Sequence, residues 1–225
     1  MILRIHLIIL VIFISGSPII GQEMTRTDLL GNHYIWSSFE LKKTNSEGVF
    51  LFSWQNLAGG KITWVDPGDP FRILTFSKES NQVFWLDNKL APIGDPLNLD
   101  ELGLHKISGI CSSKDGGLWV FDHSTQLLIN LNHNLDKQIE VPIRIKLENS
   151  SEAWVQMIEW KQHLYLLIPG ENALVADLFG QISKRIPIKA SSIHIYKSAV
   201  LFISVNDSLL YLPETGDLKS LIKKP

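Results

Sequence analysis

The sequence predicts an all-β protein, built as a β-propeller of about five four-stranded blades. Short runs of aliphatic, aromatic and β-branched residues alternate with turns rich in Gly, Asn, Asp and Pro. The second strands of successive repeats begin 39, 45, 46 and 36 residues apart, at Tyr34, Ile73, Leu118, Leu164 and Val200. Four strands in a period of about 40 to 50 residues are typical of a propeller blade. Five repeats leave open whether the ring closes or is incomplete or irregular.

The clearest repeat covers residues 107–142. Its predicted strands are 106–110, 118–122, 126–131 and a last run that ends at residue 141. Runs such as Leu118-Trp-Val-Phe lack apolar-polar alternation, which indicates strands that are covered on both faces. The seven Trp residues lie almost entirely in predicted strands, so we interpret them, Trp119 included, as packing between blades; the alternative is a row that stacks on a ligand.

The other four repeats follow the same order of strands and turns. In the first repeat a polar lead-in or ragged first strand (22–30) precedes predicted strands 33–36, 39–43 and 49–54. The second has 61–65, 72–76, 83–86 and 90–93, the fourth has 153–160, 164–168, 174–178 and 182–188, and the fifth has 192–196, 200–203, 209–212 and 218–222. The best helix candidate is 97–104, in the long link before the third repeat.

Composition favours one folded domain, residues 22–225. The chain has 225 residues, of which 45% are hydrophobic, and this suffices for one sizeable core. A formal net charge of −2 provides no electrostatic footprint for nucleic acid or an anionic membrane surface. The single cysteine, Cys111, lies on an apolar strand and is expected to be a buried, inert thiol.

Residues 1–21 have the layout of a secretory signal peptide. Arg4 precedes an unbroken apolar run at 7–14, and a small, turn-prone segment ends at Gly21. We expect cleavage after Gly21, which leaves 20 basic and 23 acidic residues and a net charge of −3. The alternative is an uncleaved membrane anchor, although the apolar run is shorter than the roughly 20 residues that span a bilayer. The prediction is export to the periplasm or cell surface of a bacterium, with no membrane span after cleavage.

Two repeats carry a resemblance to known proteins. Residues 62–93 and 107–141 resemble NHL and related six-bladed propeller repeats, in which an Asp-Pro or Asp-Gly turn follows the first strand and Leu-Asp ends the third. Residues 60–132, with Lys61-Ile-Thr-Trp-Val and Gly117-Leu-Trp-Val-Phe-Asp, are similar to uncharacterised exported propeller-like proteins of Bacteroidetes. The resemblance implies a fold and a compartment, and it implies no activity or catalytic residue.

Candidate ligand-binding residues lie in loops between the second and third strands of the repeats. These loops share one propeller face with the links between blades, where ligands usually sit. The residues expected to rim that mouth are Glu79, Asp122, His123, Glu171 and Asp207. Asp122 and Asp87 stand at strand ends, so capping of turns is the competing interpretation. The spacing of His, Cys and acidic residues indicates no metal site, and the sequence predicts no cofactor.

Three hypotheses about function follow. The first is a noncatalytic propeller of the cell envelope that binds or scaffolds a protein or glycan partner, since loops differ among repeats and no catalytic motif emerges. The second is a hydrolase, lactonase-like or glycan-active, with acids and His123 at the axial mouth. The third is a partial propeller that is completed by another chain.

Overall fold

The computed structural model describes residues 24–145, 154–168, 170–196, 199–204 and 208–220. These residues form five antiparallel sheets of four strands each, and every sheet uses four consecutive strands in the order of the chain. The sheets are arranged in a ring, which makes the protein a five-bladed β-propeller. The predicted fold class is therefore confirmed, and the ring closes.

Each blade begins at the propeller axis and ends at the rim. Blade 1 is β1 (Met24–Thr27), β2 (His33–Ser37), β3 (Glu40–Thr44) and β4 (Phe50–Gln55); blade 2 is β5 (Trp64–Asp66), β6 (Ile73–Ser77), β7 (Gln82–Leu86) and β8 (Leu97–Asn98). Blade 3 is β9 (Ile107–Ser112), β10 (Leu118–Asp122), β11 (Leu127–Leu131) and β12 (Lys137–Pro142). Blade 4 is β13 (Gln156–Trp160), β14 (His163–Leu167), β15 (Ala173–Ala176) and β16 (Ile182–Ile186); blade 5 is β17 (Ser192–Tyr196), β18 (Ala199–Ile203), β19 (Ser208–Tyr211) and β20 (Leu218–Ser220).

The fourth strand of blade 2 differs from its prediction. Residues 90–93 form only an isolated bridge, between Pro92 and Leu86, and the strand that completes the blade is the two-residue β8. Pro92 lacks an N–H and cannot continue a ladder, so the edge of β7 is paired in two short pieces. The predicted helix at 97–104 is a single 3₁₀ turn, Leu99–Leu102, capped by the side chain of Asn98.

Buried side chains between the sheets stabilise the ring. One cluster joins blades 1, 2 and 3 and includes Trp36, Trp64 and Ile110. A second joins blades 3 and 4, and a third joins blades 4 and 5. Within the described part of the chain no such cluster joins blade 5 to blade 1, where β1 exposes Met24 and Thr25. Apolar packing therefore contributes least where the ring closes.

The antiparallel blades divide the loops between two ends of the axis. We call the end that carries the loops between first and second strands (28–32, 67–72, 113–117 and 161–162) and between third and fourth strands the turn face. The end that carries the loops between second and third strands and the links between blades is the link face. Among the described residues, no helix is long and apolar enough to cross a bilayer.

Candidate binding pocket on the propeller axis

Arg26 of β1 fills the centre of the propeller and reaches three other blades. Its Nη1 donates a hydrogen bond of 2.6 Å to the carbonyl oxygen of Ile193 in blade 5, and its Nη2 donates one of 3.2 Å to Oε1 of Gln156 in blade 4. The guanidinium carbon lies 4.1 Å from the centroid of the Trp64 ring of blade 2. A single side chain thus links the first blade to the last, at the seam where no apolar cluster of the described residues joins the two blades.

The residues around Arg26 have shifted acid-base properties because they are buried. Burial lowers the pKa of Arg26 to about 10, and the charge of Asp66 acts in the opposite direction. Burial raises the pKa of Asp66, which hydrogen bonds from Ser112 and Gly68 and the charge of Arg26 lower in part. Burial, together with the charge of Arg26, lowers the pKa of His194 to about 3. At neutral pH, Arg26 is therefore charged and His194 is neutral.

Cys111 is buried in the cluster that joins blades 3 and 4. Burial raises the pKa of its thiol well above the usual range, and the negative charges of Asp66 and Glu159 act in the same direction. A nucleophilic cysteine needs a low pKa and access to solvent. The expectation of a buried thiol is confirmed, and the raised pKa agrees with an unreactive one.

Four aromatic rings cover the axis at the link face. Trp154, which precedes β13 of blade 4, crosses the axis and stacks on Phe76 of blade 2, with 5.6 Å between ring centroids and 24° between ring planes. Trp64 lies 5.8 Å from Trp154 and 6.4 Å from Trp36 of blade 1. This aromatic cover (Trp36, Trp64, Phe76 and Trp154) lies at the end of the axis at which the sequence predicts a ligand mouth.

The axis opens instead at the turn face, into a pocket of about 310 Å³. We call it the axial pocket. The carboxyl ends of all five innermost strands contribute to it. These contributions are Thr27, Asp66, Ser112, residues 158–160 and Ile195. Loops between first and second strands complete the wall, including Leu29, Asp69, Arg72 and Lys114. The volume is in the range of small-ligand sites, and the position on the axis is shared by all blades.

The most buried acids of the axial pocket are already hydrogen-bonded within the protein. Asp28 accepts from the backbone N–H groups of Leu30 and Asn32, the Asn32 amide and the Tyr34 hydroxyl. Asp66 accepts from the backbone N–H groups of Gly68, at 3.0 Å, and Ser112, at 2.8 Å. These bonds hold both side chains as turn-forming acceptors, which leaves neither positioned as a free base.

Glu159 is the third engaged acid, and it connects the pocket to the core. Its Oε2 accepts 2.8 Å hydrogen bonds from the hydroxyl of Ser113 and from Nε1 of Trp119, and its Oε1 accepts from the backbone N–H of Lys114 at 3.4 Å. Trp119 is among the largest fully buried side chains. The predicted packing role of Trp119 is therefore confirmed, and its indole N–H adds a polar role that the strand pattern did not predict.

The cations of the axial pocket stack on aromatic rings, and the charge of Asp69 also acts on Arg72, whose pKa is lowered by burial. The guanidinium carbon of Arg72 lies 4.5 Å from the centroid of the Trp85 ring, and its Nη1 donates a 2.7 Å hydrogen bond to the carbonyl oxygen of Gly116. The Nζ of Lys114 lies 5.2 Å from the centroid of the Trp160 ring. Both cations are thus oriented at the mouth of the pocket with donors left over.

Four of the five predicted site residues lie on the link face, at or in loops between second and third strands. Glu79 is exposed and accepts a 3.4 Å hydrogen bond from the backbone N–H of Lys61. Asp122 is buried at the end of β10 and accepts from Ser124 and Thr125, which is the capping role proposed as the competing interpretation.

The remaining three predicted residues are His123, Glu171 and Asp207. His123 and Glu171 are exposed, and Nδ1 of His123 lies 3.2 Å from Nε2 of Gln126. Asp207 lies outside the described residues. The side chains of Asp122 and His123 form hydrogen bonds within blade 3, and that of Glu79 bonds to the link before blade 2. A shared ligand site for these five residues stays a prediction.

Several residues of the axial pocket lie in turns that the sequence predicts clearly. Asp66-Pro-Gly-Asp-Pro70 and the polar turn at 112–117 are both evident in the sequence, where turn chemistry accounts for them. Arg26 sits in a polar lead-in with no motif, and nothing local indicates that it lies on the axis. Within the described ranges, no three His, Cys, Asp or Glu residues group as metal ligands.

Comparison with known proteins supports the fold. No protein-family model matches the sequence, and no curated protein matches it. The structure is similar to a catalytically inactive histidine-to-alanine variant of virginiamycin B lyase from Staphylococcus aureus with quinupristin. The TM-score is 0.57 at 12% identity, over 91% of this chain and 74% of that chain.

Two further structures have different origins. A protein of unknown function from Bacteroides caccae has a TM-score of 0.52 at 11% identity, over 84% of this chain and 70% of that chain. The WD40 domain of Neurospora crassa Pan2 has a TM-score of 0.55 at 8% identity, over 87% and 63%. Identities this low show the fold alone. The class that fold and comparisons define is the β-propeller, and within it the chain is a five-bladed form with a pocket on the turn face.

Proposed function

We propose that the protein is an exported, noncatalytic binding module of the bacterial cell envelope, which holds a protein or glycan partner at the axial pocket. One observation carries this proposal: Asp28, Asp66 and Glu159 are all engaged by donors of the protein itself. A general base or nucleophile must have its reactive atom available to the substrate. A pocket whose acids already accept hydrogen bonds from the protein itself is better suited to binding a partner than to catalysis.

The hydrolase hypothesis has less support from this geometry. None of the histidines in the described residues lines the axial pocket. The lyase with a similar fold is represented by a catalytically inactive variant in which a histidine is replaced by alanine. At 12% identity, the likeness to that protein extends to the fold alone. Propellers serve many unrelated roles through their loops, so fold alone assigns no reaction.

Export rests on the amino-terminal pattern, and residues 1–23 lie outside the described part of the chain. The basic residue, apolar run and small-residue segment support a secretory signal. Intact-mass measurement on the protein from the periplasm or medium of an expressing bacterium should give a chain that begins at Gln22. A full-length mass in the membrane fraction would favour the uncleaved anchor. The NHL-like repeat type and the relation to Bacteroidetes proteins remain predictions from the sequence.

A blocked pocket tests the proposed function. Thr27 is exposed at the pocket end of β1, so Thr27→Trp should fill the pocket without disturbing the core. Thr25→Trp is the matched control, since Thr25 is exposed on the same strand and does not line the pocket. We expect residues 22–225 to bind the protein or glycan fraction of bacterial envelopes, with a loss of about tenfold or more in Thr27→Trp alone.

Three outcomes decide between the hypotheses. Equal binding by both tryptophan variants would place the site elsewhere, for example at the link-face residues. No binding to any envelope fraction would reject the binding module. Cleavage products of envelope glycans or peptides, detected by mass spectrometry and lost in Thr27→Trp, would favour the hydrolase.

A further inference from the structure

We infer that the axial pocket recognises a short segment of a partner protein in which a single carboxylate stands beside apolar side chains. This inference rests on the proposed function and names the chemistry of its partner. Three features of the turn face support it: two cations that form no ion pair within the described part of the chain, acids that already accept hydrogen bonds, and an exposed apolar rim.

The cations provide the complement to a carboxylate. An arginine has five N–H donors, and among the described residues the Arg72 side chain makes one hydrogen bond, to Gly116. Stacking on Trp85 fixes the plane of the guanidinium, which makes the remaining donors a rigid fork suited to a carboxylate. Lys114 is exposed, and within the described part of the chain neither cation forms an ion pair.

The acids of the pocket limit how much negative charge the ligand can carry. Asp28, Asp66, Asp69 and Glu159 line the pocket together with only two cations, Arg72 and Lys114. All four carboxylates repel an anion, so a doubly charged phosphate would meet more repulsion than a carboxylate with a single charge, which the two cations can attract. Since the acids already accept hydrogen bonds, the free donors of the cations remain the main polar feature for a ligand.

The rim favours a polypeptide over a sugar. Leu29, Leu30 and Phe71 lie on the loops around the mouth and are 52%, 65% and 63% exposed, and Tyr196 at the end of β17 is 44% exposed. Exposed apolar side chains around a polar centre are typical of protein interaction sites. A glycan would leave these side chains without a matching surface. A volume of about 310 Å³ accommodates one or two side chains, with the flanking residues on the rim.

Matched peptides test the inference. Three sets of fluorescent peptides would share the same Leu and Phe residues around a central position that is Glu, Gln or phosphoserine. Fluorescence polarisation with residues 22–225 should show binding of the Glu set, with the Gln set weaker by about tenfold. Phosphoserine should bind no more tightly than Glu. Tighter binding of phosphoserine, or equal binding of Glu and Gln, would overturn the assignment of a single carboxylate.

Variants locate the binding. Lys114→Gln removes an exposed charge whose one ring contact is with Trp160 at 5.2 Å, so we expect the variant to fold. We expect it to weaken the Glu set by about three- to tenfold, and Arg72→Gln by more. Lys89→Gln is the control, because Lys89 lies in the exposed turn after β7 on the same face and outside the pocket. An equal effect of all three variants would indicate a diffuse charge effect and would reject the site.

The two proposals can fail separately. If Thr27→Trp abolishes binding to envelope glycans and no peptide set binds, the binding module stands and the peptide inference falls. If neither glycans nor peptides bind, both fall. Peptide binding that Thr27→Trp and Lys114→Gln both weaken supports both.

Discussion

Arg26 Nη1 lies 2.6 Å from the carbonyl oxygen of Ile193, so the first strand of the propeller is hydrogen-bonded to the first strand of the last blade. Propeller rings need some device at the seam, because the two ends of the chain meet there without a covalent link. Here each blade uses four consecutive strands, and a buried cation takes the place of a shared strand. Among the described residues, the contact between the first and last blades is therefore centred on one side chain.

Replacing Arg26 should weaken the whole domain. Arg26→Met keeps the length of the side chain and removes the bonds to Ile193 and Gln156, which leaves their acceptors buried and Asp66 without its nearby positive charge. We expect a loss of about 3 kcal/mol in the free energy of unfolding, measured with urea. Arg144→Met, at an exposed position, should change it by less than about 0.5 kcal/mol. Equal stability of the two variants would show that the seam does not depend on Arg26.

Trp119 should be important for both packing and the pocket. Trp119→Ala creates a cavity between blades 3 and 4 and should cost about 3 to 5 kcal/mol. Trp119→Phe keeps most of the packing and removes the donor to Glu159, so it should cost less and still alter the pocket. Chemical denaturation measures the first effect, and peptide binding measures the second. A cost near zero for Trp119→Ala would contradict the packing assignment.

Stability should fall in mild acid because of His194. The pKa of this residue is about 3 in the folded protein and near 6.5 when unfolded, so the unfolded state takes up a proton first. Its contribution is complete above pH 6.5 and is lost as the pH falls from 6.5 towards 3. Between pH 7 and pH 5 the loss should reach up to about 2 kcal/mol.

A histidine variant isolates this contribution. His194→Gln should flatten the decrease in unfolding free energy over that range, whereas His133→Gln, at an exposed position, should leave the decrease unchanged. Urea denaturation at several pH values provides the measurement. Parallel curves for the wild type and His194→Gln would mean that His194 does not cause the decrease; the buried Asp66, whose pKa is raised, acts in the opposite direction.

Gly109 allows the innermost strands of blades 3 and 4 to approach each other. A Cβ at this position would lie 2.8 Å from the carbonyl oxygen of Val155 and 2.8 Å from Sδ of Met157. Gly109→Ala must therefore push β9 and β13 apart, and we expect a loss of about 1 to 3 kcal/mol. Gly68→Ala, whose Cβ would approach only the Asp66 side chain at 3.1 Å, should cost less. The melting temperatures of the two variants would rank them.

Local sequence patterns predicted the strands of the blades well, but they did not predict which residues lie on the propeller axis. The strands Leu118–Asp122 and Ser192–Tyr196 match their predicted bounds, because turn residues and apolar runs are local properties. The prediction for the fourth strand of blade 2 was wrong. Leu90 and its neighbours are apolar, but Pro92 interrupts the pairing. Apolar content alone did not reveal that interruption.

The candidate site depends on contacts between blades that no single repeat contains. At the link-face end of the axis, Trp154 packs onto Phe76. These two residues are 78 positions apart in the chain, so no local pattern predicts their contact. Asp66 was visible in the sequence only as a turn former, because the hydrogen bond that makes its turn also satisfies the carboxylate. Arg26 had no signal, since a lone arginine in a polar segment is usually exposed.

Arg26 and Trp154 also bear on how the repeat number can change. Both side chains cross the axis and contact blades that are not neighbours in the ring: Arg26 reaches blade 4, and Trp154 reaches blade 2. A sixth blade would widen the axis beyond the span of both residues. Duplication of one repeat would thus cost both contacts, so the side chains of Arg26 and Trp154 are suited to a ring of five blades.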